Sequence, residues 1–331
     1  MTLEDFGWGP HFAQQLSASD TGTLPVRVVA VHRDALDVAG PGFEGRIAGL
    51  TQRDDGQMAT IGDWLLIDAT HRAVRLLKRR SVFTRKSAGT GRRVQLLAAN
   101  IDTMLLLTSA NQDFNLARLE RFLALAAEAH VEPVVLITKA DLAEDVATYV
   151  ASVQGLMPGI AVAAFDARSA GAAEQLQPWF MSGKTLVLLG SSGVGKSTLV
   201  NSLMGRLLQE TQAVRGDDDK GRHTTSARSL HRLANGAWLI DTPGIRELQL
   251  IEAAQGVDDV FDDIAQLAAT CRFSNCTHLS EPGCAVQAAV IAGTLDEPRL
   301  RRFQKLQAEE RQNSTAIARA KRPGRLAKRV R

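Results

Sequence analysis

The stretch Gly190-Ser-Ser-Gly-Val-Gly-Lys-Ser197 fits the phosphate-binding pattern G-x-x-x-x-G-K-[ST]. It follows an apolar run typical of a buried strand and opens a predicted helix. Glycines let the N–H groups of such a loop approach an anion, and the helix N-terminus adds the positive end of its dipole. Lys196 is placed to reach the β- and γ-phosphates, and the Ser197 hydroxyl to coordinate Mg²⁺. The stretch therefore predicts a nucleotide-binding α/β domain.

Strands and helices alternate around this loop. The predicted strands are Thr103–Thr108, Val134–Thr138, Ile160–Phe165 and Thr185–Leu189, and the predicted helices are Leu116–His130, Gly171–Phe180 and one that begins near Gly195. Alternation of this kind indicates a parallel sheet with right-handed crossovers. Two further apolar runs, Ser229–Leu233 and Ala237–Ile240, flank Asn235-Gly236, which is a strong hairpin signal.

Asp241-Thr-Pro-Gly244 follows this hairpin and is the candidate switch. A carboxylate at a strand end can hold Mg²⁺ through water, and the Gly244 N–H can sense a γ-phosphate. Upstream, Gly221-Arg-His-Thr-Thr225 offers a threonine to close on Mg²⁺ and the γ-phosphate, and both Thr224 and Thr225 fit that role. A neutral imidazole on His223 could orient the attacking water. A loop histidine without a catalytic role is an equally good interpretation.

Ile245 stands where Ras-like GTPases place a water-orienting glutamine. An isoleucine cannot hydrogen-bond water, so we expect slow intrinsic hydrolysis, with the missing group supplied by a rearranged loop or by a binding partner.

Thr138-Lys-Ala-Asp141, at the end of a predicted strand, is the candidate base-reading motif. The Asp141 carboxylate can accept hydrogen bonds from both N1–H and N2–H₂ of guanine. Adenine offers no such pair, so discrimination can reach about 10⁴-fold. Lys139 can lay its aliphatic stem along the base, and Ser169-Ala170 can supply a backbone N–H to the base carbonyl. Thr138 stands where the usual motif has Asn, which contacts guanine and tethers the phosphate loop, so weaker guanine affinity is expected.

The order of the motifs is unusual. Ordinary GTPases place the phosphate loop before the guanine motif, whereas here the guanine motif precedes the phosphate loop and the switch comes last. One site built from all three predicts a circularly permuted domain, which is tolerated when native termini lie close together at the surface. The predicted nucleotide-binding residues are Thr138, Lys139, Ala140, Asp141, Ser169, Gly190, Ser191, Ser192, Gly193, Val194, Gly195, Lys196, Ser197 and Thr198. The predicted catalytic residues are Lys196, Ser197, His223, Thr224, Thr225, Asp241 and Gly244.

A metal-binding site is indicated by the pattern Cys271-x4-Cys276-x-His278-x5-Cys284. Three thiolates and one imidazole within one short segment suit tetrahedral Zn²⁺ of the Cys₃His type. A complete set of four ligands leaves no open position, so the sequence predicts one structural zinc. All three cysteines of the chain are used, and their odd number argues against a disulfide framework.

Composition limits the class of protein. The chain has 331 residues, 45% hydrophobic and 23% charged, which predicts a globular protein of two or three domains. Its longest apolar runs, such as Met104–Leu107, are too short to span a bilayer, and the acidic start Met1–Asp5 is no secretory signal. The expectation is a soluble cytoplasmic protein without a membrane partner.

Charge is distributed unevenly. Arg299–Arg331 holds 12 Lys/Arg and two acids, which leaves a net −7 for the first 298 residues. Arg75–Arg93 holds eight basic residues and no acid. Two stretches without balancing acid predict a polyanionic partner, and solvated surface is the alternative for each.

The N-terminal third predicts a small β-barrel. Five short candidate strands lie between Leu24 and Lys78, which suits an OB-fold, and an SH3-like barrel fits nearly as well. The predicted fold is therefore multi-domain. It comprises an N-terminal arm and OB-fold β-barrel (1–90), a circularly permuted α/β P-loop GTPase domain (91–255), and a mostly α zinc-binding domain with a basic tail (256–331).

The ordered set resembles the RsgA (YjeQ) family of circularly permuted GTPases that depend on the small ribosomal subunit. The resemblance covers nearly the whole chain and includes the OB-like domain, Arg85-Lys-Ser-Ala-Gly89, Ala99-Asn-Ile-Asp-Thr103, the permuted motifs, Gly221–Thr225, the zinc segment and the basic tail. It implies GTP hydrolysis stimulated by that subunit, late maturation of the subunit through rRNA binding, Mg²⁺ with GTP, and one structural zinc. We also expect a monomer.

Two other classes of function compete with a GTPase assembly switch. One is a nucleotide-gated RNA-binding module in which hydrolysis is incidental. The other is a P-loop phosphotransferase, which would need an acceptor pocket and a lid and would leave Thr138–Asp141 unexplained.

Overall fold

The computed structural model describes residues 1–48, 58–86, 94–169, 171–204, 229–241 and 253–321. Its strands are β1 (Leu24–Val31), β2 (Ala35–Gly40), β3 (Phe43–Ala48), β4 (Trp64–Ile67), β5 (Ala73–Leu76), β6 (Val82–Lys86), β7 (Val94–Ala99), β8 (Thr103–Ser109), β9 (Glu132–Thr138), β10 (Ala161–Ala164), β11 (Thr185–Gly190), β12 (Ser229–Arg232) and β13 (Trp238–Asp241). Its α-helices are α1 (Pro10–Ala13), α2 (Leu116–Glu128), α3 (Val146–Gln154), α4 (Ala172–Gln175), α5 (Lys196–Met204), α6 (Ala254–Val260), α7 (Asp262–Ala268), α8 (Ala285–Ile291) and α9 (Glu297–Lys321).

The half that carries the phosphate-loop motif is a mostly parallel sheet in the order β10-β9-β8-β11-β13-β12, in which β12 runs antiparallel to β13. β8 is buried along its whole length, as a continuous apolar run in a doubly covered sheet should be. The predicted strands and the hairpin at Asn235-Gly236 are confirmed, and the predicted helix Gly171–Phe180 divides into α4 and a short 3₁₀ turn, Gln177–Trp179. In this order β11, which leads into the phosphate loop, lies between β8, an earlier strand of the chain, and β13, a later one.

The N-terminal strands form an antiparallel set in the order β3-β2-β1-β4-β5. β1 also pairs with β12 through Ala30 and Ser229, so both halves share one 11-stranded sheet. Within the described ranges no pairing closes the five strands into a barrel. The five-stranded unit is therefore observed, and its closure as an OB-fold is not confirmed.

The N-terminal arm, which carried few sequence signals, joins the two halves. Phe6 is buried and stacks on Trp238 with ring centroids 5.4 Å apart, and the Trp238 Nε1–H donates to the Asp5 carbonyl at 2.7 Å. Arg27 is buried and donates to the Phe6 carbonyl and the Thr185 hydroxyl, both at 2.6 Å. Burial lowers the pKa of Arg27 to about 10. The arm thus binds β1 to the start of β11.

The C-terminal part is helical, as predicted. Helix α6 lies very close to α2, because a Cβ on Gly256 would lie 2.1 Å from the Ala124 carbonyl oxygen. The fully buried Glu120 accepts from Arg302 Nε at 2.8 Å and lies 3.5 Å from Arg299 Nη1, which fixes α9 to α2. No helix in the described part of the chain is long and apolar enough to cross a membrane.

The prediction made from the basic stretch Arg75–Arg93 needs a correction. Three of its eight cations pair with acids from elsewhere in the chain, each at an N–O distance of 2.7 Å, and the pairs are Arg75–Asp20, Arg79–Asp63 and Arg80–Asp102. The Arg79 and Asp63 side chains are 4% and 0% exposed, so their charges do not face solvent. Arg85 and Lys86 belong to β6, which pairs with β7. The prediction of a stretch without balancing acid is wrong for the three paired arginines, because their partners are distant in sequence.

Candidate functional site

The phosphate loop turns sharply between β11 and α5. Gly193 and Gly195 have φ values of +79° and +92°, in the left-handed region that favours glycine. A Cβ on Gly190 would lie 2.4 Å from the Leu107 carbonyl oxygen, so this position has no space for a side chain. The motif therefore places its glycines where the backbone requires them.

Lys196 begins helix α5 and is largely buried, with 8% of its surface exposed. Its ammonium donates to the Gly190 carbonyl at 2.7 Å and to the Ser191 carbonyl. The charge is therefore held against the loop that the sequence assigns to phosphates. A bound phosphate would offer this ammonium oxygens of full negative charge in place of neutral carbonyls.

Thr138 connects the base-reading motif to the phosphate loop. Its hydroxyl, which is completely buried, donates to the Val194 carbonyl at 2.7 Å and lies 3.1 Å from the Thr108 carbonyl. The tether that the sequence analysis attributes to Asn is thus made by threonine. The two motifs are 56 residues apart in the chain and meet because β9 and β11 flank β8 in one sheet.

We expect Thr138→Val to weaken GTP binding by about tenfold or more. Valine keeps the shape but leaves the buried Val194 carbonyl without this donor, at a cost of about 1–3 kcal/mol. Equilibrium binding of a fluorescent GTP analogue measures the effect, and Thr138→Ser, which retains the hydroxyl, is the matched control. Equal affinity of the valine and serine variants would contradict this role.

Asp141 lies in a short turn, Ala140–Leu142, just after β9, and Lys139 before it has φ +58°. Its carboxylate accepts from Arg168 Nη2 at 2.9 Å, and Arg168 also contacts Asp166. Sequence reasoning missed Arg168, and nothing in the sequence signalled that its partner lies 27 residues upstream. The carboxylate that the sequence assigns to base recognition is therefore already paired with an arginine.

Of the second predicted contact with the base, Ser169-Ala170, only Ser169 lies within the described residues. The loop after β10 contacts Asp141 through Arg168. The Ser169 N–H, however, donates to the Asp166 carbonyl at 3.0 Å. Ala170 lies outside the described residues, so the predicted N–H donor to the base stays a prediction.

Asp113 is a further polar group at the phosphate loop that the sequence analysis did not find. Its carboxylate accepts from the Ser191 hydroxyl and lies 3.2 Å from Arg118 Nη1. The hydrogen bond from Ser191 lowers the pKa of Asp113 below its usual value, with Arg118 contributing. The first residues of the loop are therefore held from outside by the segment that enters α2.

The predicted switch residues lie almost entirely outside the described residues. Asp241 ends β13, which places its backbone beside β11, but its side chain is not described. His223, Thr224, Thr225, Gly244 and Ile245 are not described either. The remaining predicted positions, Ser192, Ser197 and Thr198, lie in the described loop and in the first turn of α5.

The four predicted metal ligands come together in one cluster. Their ligand atoms lie within 4.8 Å of one another in Cys271, Cys276, His278 and Cys284. The His278 Nδ1 atom is 3.6 Å from the Cys271 sulfur and 3.5 Å from the Cys284 sulfur, and those two sulfurs are 3.9 Å apart. Tetrahedral zinc with ordinary bond lengths requires about 3.6 Å for S–N and about 3.8 Å for S–S. The donor set and its spacing therefore fit zinc.

The segment between Cys276 and Cys284 is held by a carboxylate that the sequence did not indicate. Glu281 accepts from the backbone N–H groups of Thr277, Leu279 and Ser280 at 2.8–3.1 Å. Hydrogen bonds, led by the Thr277 hydroxyl, lower the pKa of Glu281 to about 2. His278, at φ +59°, lies within this cradle.

Comparison with known proteins agrees with these features. A family model described as RsgA GTPase matches residues 76–251. A relative from Mesorhizobium japonicum, named "Small ribosomal subunit biogenesis GTPase RsgA", is 48% identical over 320 residues, covering 96% of this chain and 92% of the relative. The chain belongs to the RsgA GTPase family. An RsgA relative from Vibrio vulnificus, "Small ribosomal subunit biogenesis GTPase RsgA 2", is 45% identical and covers 96% of this chain and 90% of its own.

Solved structures support the RsgA fold. YjeQ from Thermotoga maritima matches with a TM-score of 0.62 at 24% identity, covering 87% of this chain and 98% of its own. YloQ, described as a circularly permuted GTPase, matches with a TM-score of 0.59 at 23% identity, covering 93% and 100%. The resemblance to the RsgA family and the permuted order are therefore confirmed.

Proposed function

We propose that this chain hydrolyses GTP to GDP and phosphate and acts in biogenesis of the small ribosomal subunit. The observation that carries the proposal is the 45–48% identity, over 96% of the chain, to relatives named as GTPases of that process. The phosphate loop at the carboxyl end of β11 and the base motif at the end of β9 supply the sites that the activity needs.

GTP binding is proposed to use these residues in distinct roles. Asp141 selects guanine, Lys139 covers the base, and Thr138 fixes the distance between base and phosphates. Lys196 neutralises charge on the β- and γ-phosphates, while Ser197 and Asp241 hold Mg²⁺ directly and through water. Mg²⁺, when bound, stabilises charge on the transferring phosphoryl group. Thr224 or Thr225, Gly244 and His223 are proposed to complete the site around the γ-phosphate.

The metal of the Cys₃His cluster is proposed to be one structural Zn²⁺. We expect Cys276→Ser to lose the metal and open the C-terminal helices before it alters GTP affinity, because structural zinc contributes about 10–16 kcal/mol of apparent binding energy that is coupled to folding. Metal analysis and limited proteolysis measure this. Thr270→Ser is a matched exposed control, and full zinc occupancy in Cys276→Ser would contradict the assignment.

The partner is proposed to be the small subunit's rRNA, bound by a monomer. Support comes from the relatives' names and from the basic C-terminal stretch, whose last residues lie outside the described part. The five N-terminal strands are proposed to close as an OB-fold barrel. The competing role, a nucleotide-gated RNA-binding module with incidental hydrolysis, has the same partner.

A GTPase assay with and without purified small subunits tests the proposal. We expect slow GTP hydrolysis by the protein alone, strong stimulation by small subunits, and little by large subunits. ATP hydrolysis should remain at background. Subunit binding without stimulated turnover would favour the nucleotide-gated module.

A further inference from the structure

A cleft of about 540 Å³ lies between the phosphate loop, helix α2 and helix α9. The loop contributes Gly190–Ser192, which belong to the predicted nucleotide-binding residues, whereas Thr138–Asp141 and Gly193–Thr198 do not line the cleft. This cavity therefore borders the proposed GTP site and shares the start of the phosphate loop with it.

The charged residues of its lining are all basic. Four basic side chains and no carboxylate occur among the described lining residues, and the four are Arg118, Arg121, Arg302 and Lys305. The neutral lining includes Asn115, Ser191 and Ser192, which can donate hydrogen bonds to an anion. The composition indicates a site for an anionic ligand.

The three arginines are held by carboxylates that lie outside the lining. Arg118 contacts Asp113, Arg121 contacts Glu309, and Arg302 contacts the buried Glu120. Each of these contacts engages one guanidinium nitrogen, and a guanidinium carries five N–H donors in a fixed fork. Lys305 is exposed and forms no ion pair with any described residue. Guanidinium groups that are held in place and have N–H donors beyond those used in these contacts are suited to phosphate oxygens.

We propose that this cleft binds the phosphodiester backbone of small-subunit ribosomal RNA. The inference rests on the proposed function, which supplies an RNA-rich partner. The volume lies within the range of ordinary ligand sites and exceeds what one phosphate fills. With four cations and one aromatic ring, Phe122, the lining is suited to phosphates rather than to stacked bases.

The cleft is connected to the nucleotide site through Arg118. Its Nη1 lies 3.2–3.3 Å from both Asp113 oxygens, a long contact in which each side chain is about one-third exposed. An RNA phosphate can compete for Arg118, and Asp113 holds the Ser191 hydroxyl of the phosphate loop. Occupancy of the cleft thereby changes a constraint on the phosphate loop.

The test compares Lys305→Gln with Arg301→Gln in the full-length protein. Both side chains are exposed on α9, four residues apart, and Arg301 lies outside the cleft. Small ribosomal subunits are titrated against stimulated GTP hydrolysis at several salt concentrations, with intrinsic hydrolysis measured in parallel. For Lys305→Gln we expect the half-saturating subunit concentration to rise about fivefold and the salt slope to fall by about 0.7–0.9, since one phosphate contact is lost. Arg301→Gln should match the unaltered protein.

Equal titrations for the two variants would overturn the inference while leaving the GTPase function intact. A weaker subunit interaction with an unchanged salt slope would assign the cleft to a ribosomal protein and also overturn it. Altered intrinsic hydrolysis in Lys305→Gln would do the same, because the cleft would then act without RNA. Absence of stimulation in the unaltered protein would instead remove the proposed function, together with this inference.

Discussion

Replacement of Lys196 by alanine is expected to reduce subunit-stimulated GTP turnover by about a thousandfold. The Lys196 ammonium contacts the Gly190 and Ser191 carbonyls of the phosphate loop, and its positive charge would stabilise the negative charge that develops on the γ-phosphate. A thousandfold loss corresponds to about 4 kcal/mol of transition-state stabilisation. Single-turnover hydrolysis with saturating subunits measures it.

Lys184→Ala is the control for removal of a lysine near the same strand. Lys184 precedes β11 and lies 3.5 Å from Asp102, at the end of the strand remote from the loop. This variant should keep its turnover. Near-normal hydrolysis in Lys196→Ala, with circular dichroism unchanged, would remove the phosphate loop from the mechanism.

Asp141→Asn is expected to weaken GTP binding by about 10³–10⁴-fold and to create binding of xanthosine triphosphate. The carboxylate offers two acceptors to the guanine edge, whereas the amide presents a donor that matches the 2-oxo group of xanthine. Competition binding with GTP, ATP and xanthosine triphosphate measures the change.

Asp166→Asn is the matched control, because Arg168 contacts both carboxylates. If the effect at Asp141 came only from loss of the arginine contact, both variants would behave alike. Retained GTP preference in Asp141→Asn would assign guanine recognition to other residues.

The sequence predicted the elements whose chemistry is local. The phosphate loop, the base motif and the candidate metal ligands are short patterns, and each pattern needs particular residue types at fixed spacing. The central strands were also predictable, since continuous apolar runs such as β8, bounded by turn signals, favour a buried strand.

The contacts that assemble the site could not be predicted in this way. Arg27 and Thr185 are 158 residues apart, and Arg121 and Glu309 are 188 apart, so no window of sequence relates them. Arg79 illustrates the resulting error, because a basic stretch predicts a polyanionic partner as long as the carboxylate that pairs with it, here Asp63, is not known to lie beside it. Hairpin β6–β7 was missed because Arg85 and Lys86 conceal its alternation within a run of charge.

The bridge between Ala30 and Ser229 has a consequence for how the molecule unfolds. A sheet that continues from the N-terminal strands into the nucleotide-binding strands, with Arg27 buried across the junction, gives the two halves a common cooperative transition. A fragment that ends at residue 90 would expose Phe6 and leave the Arg27 guanidinium without its Thr185 acceptor. The structural unit of this chain is therefore larger than either of the folds from which it is built.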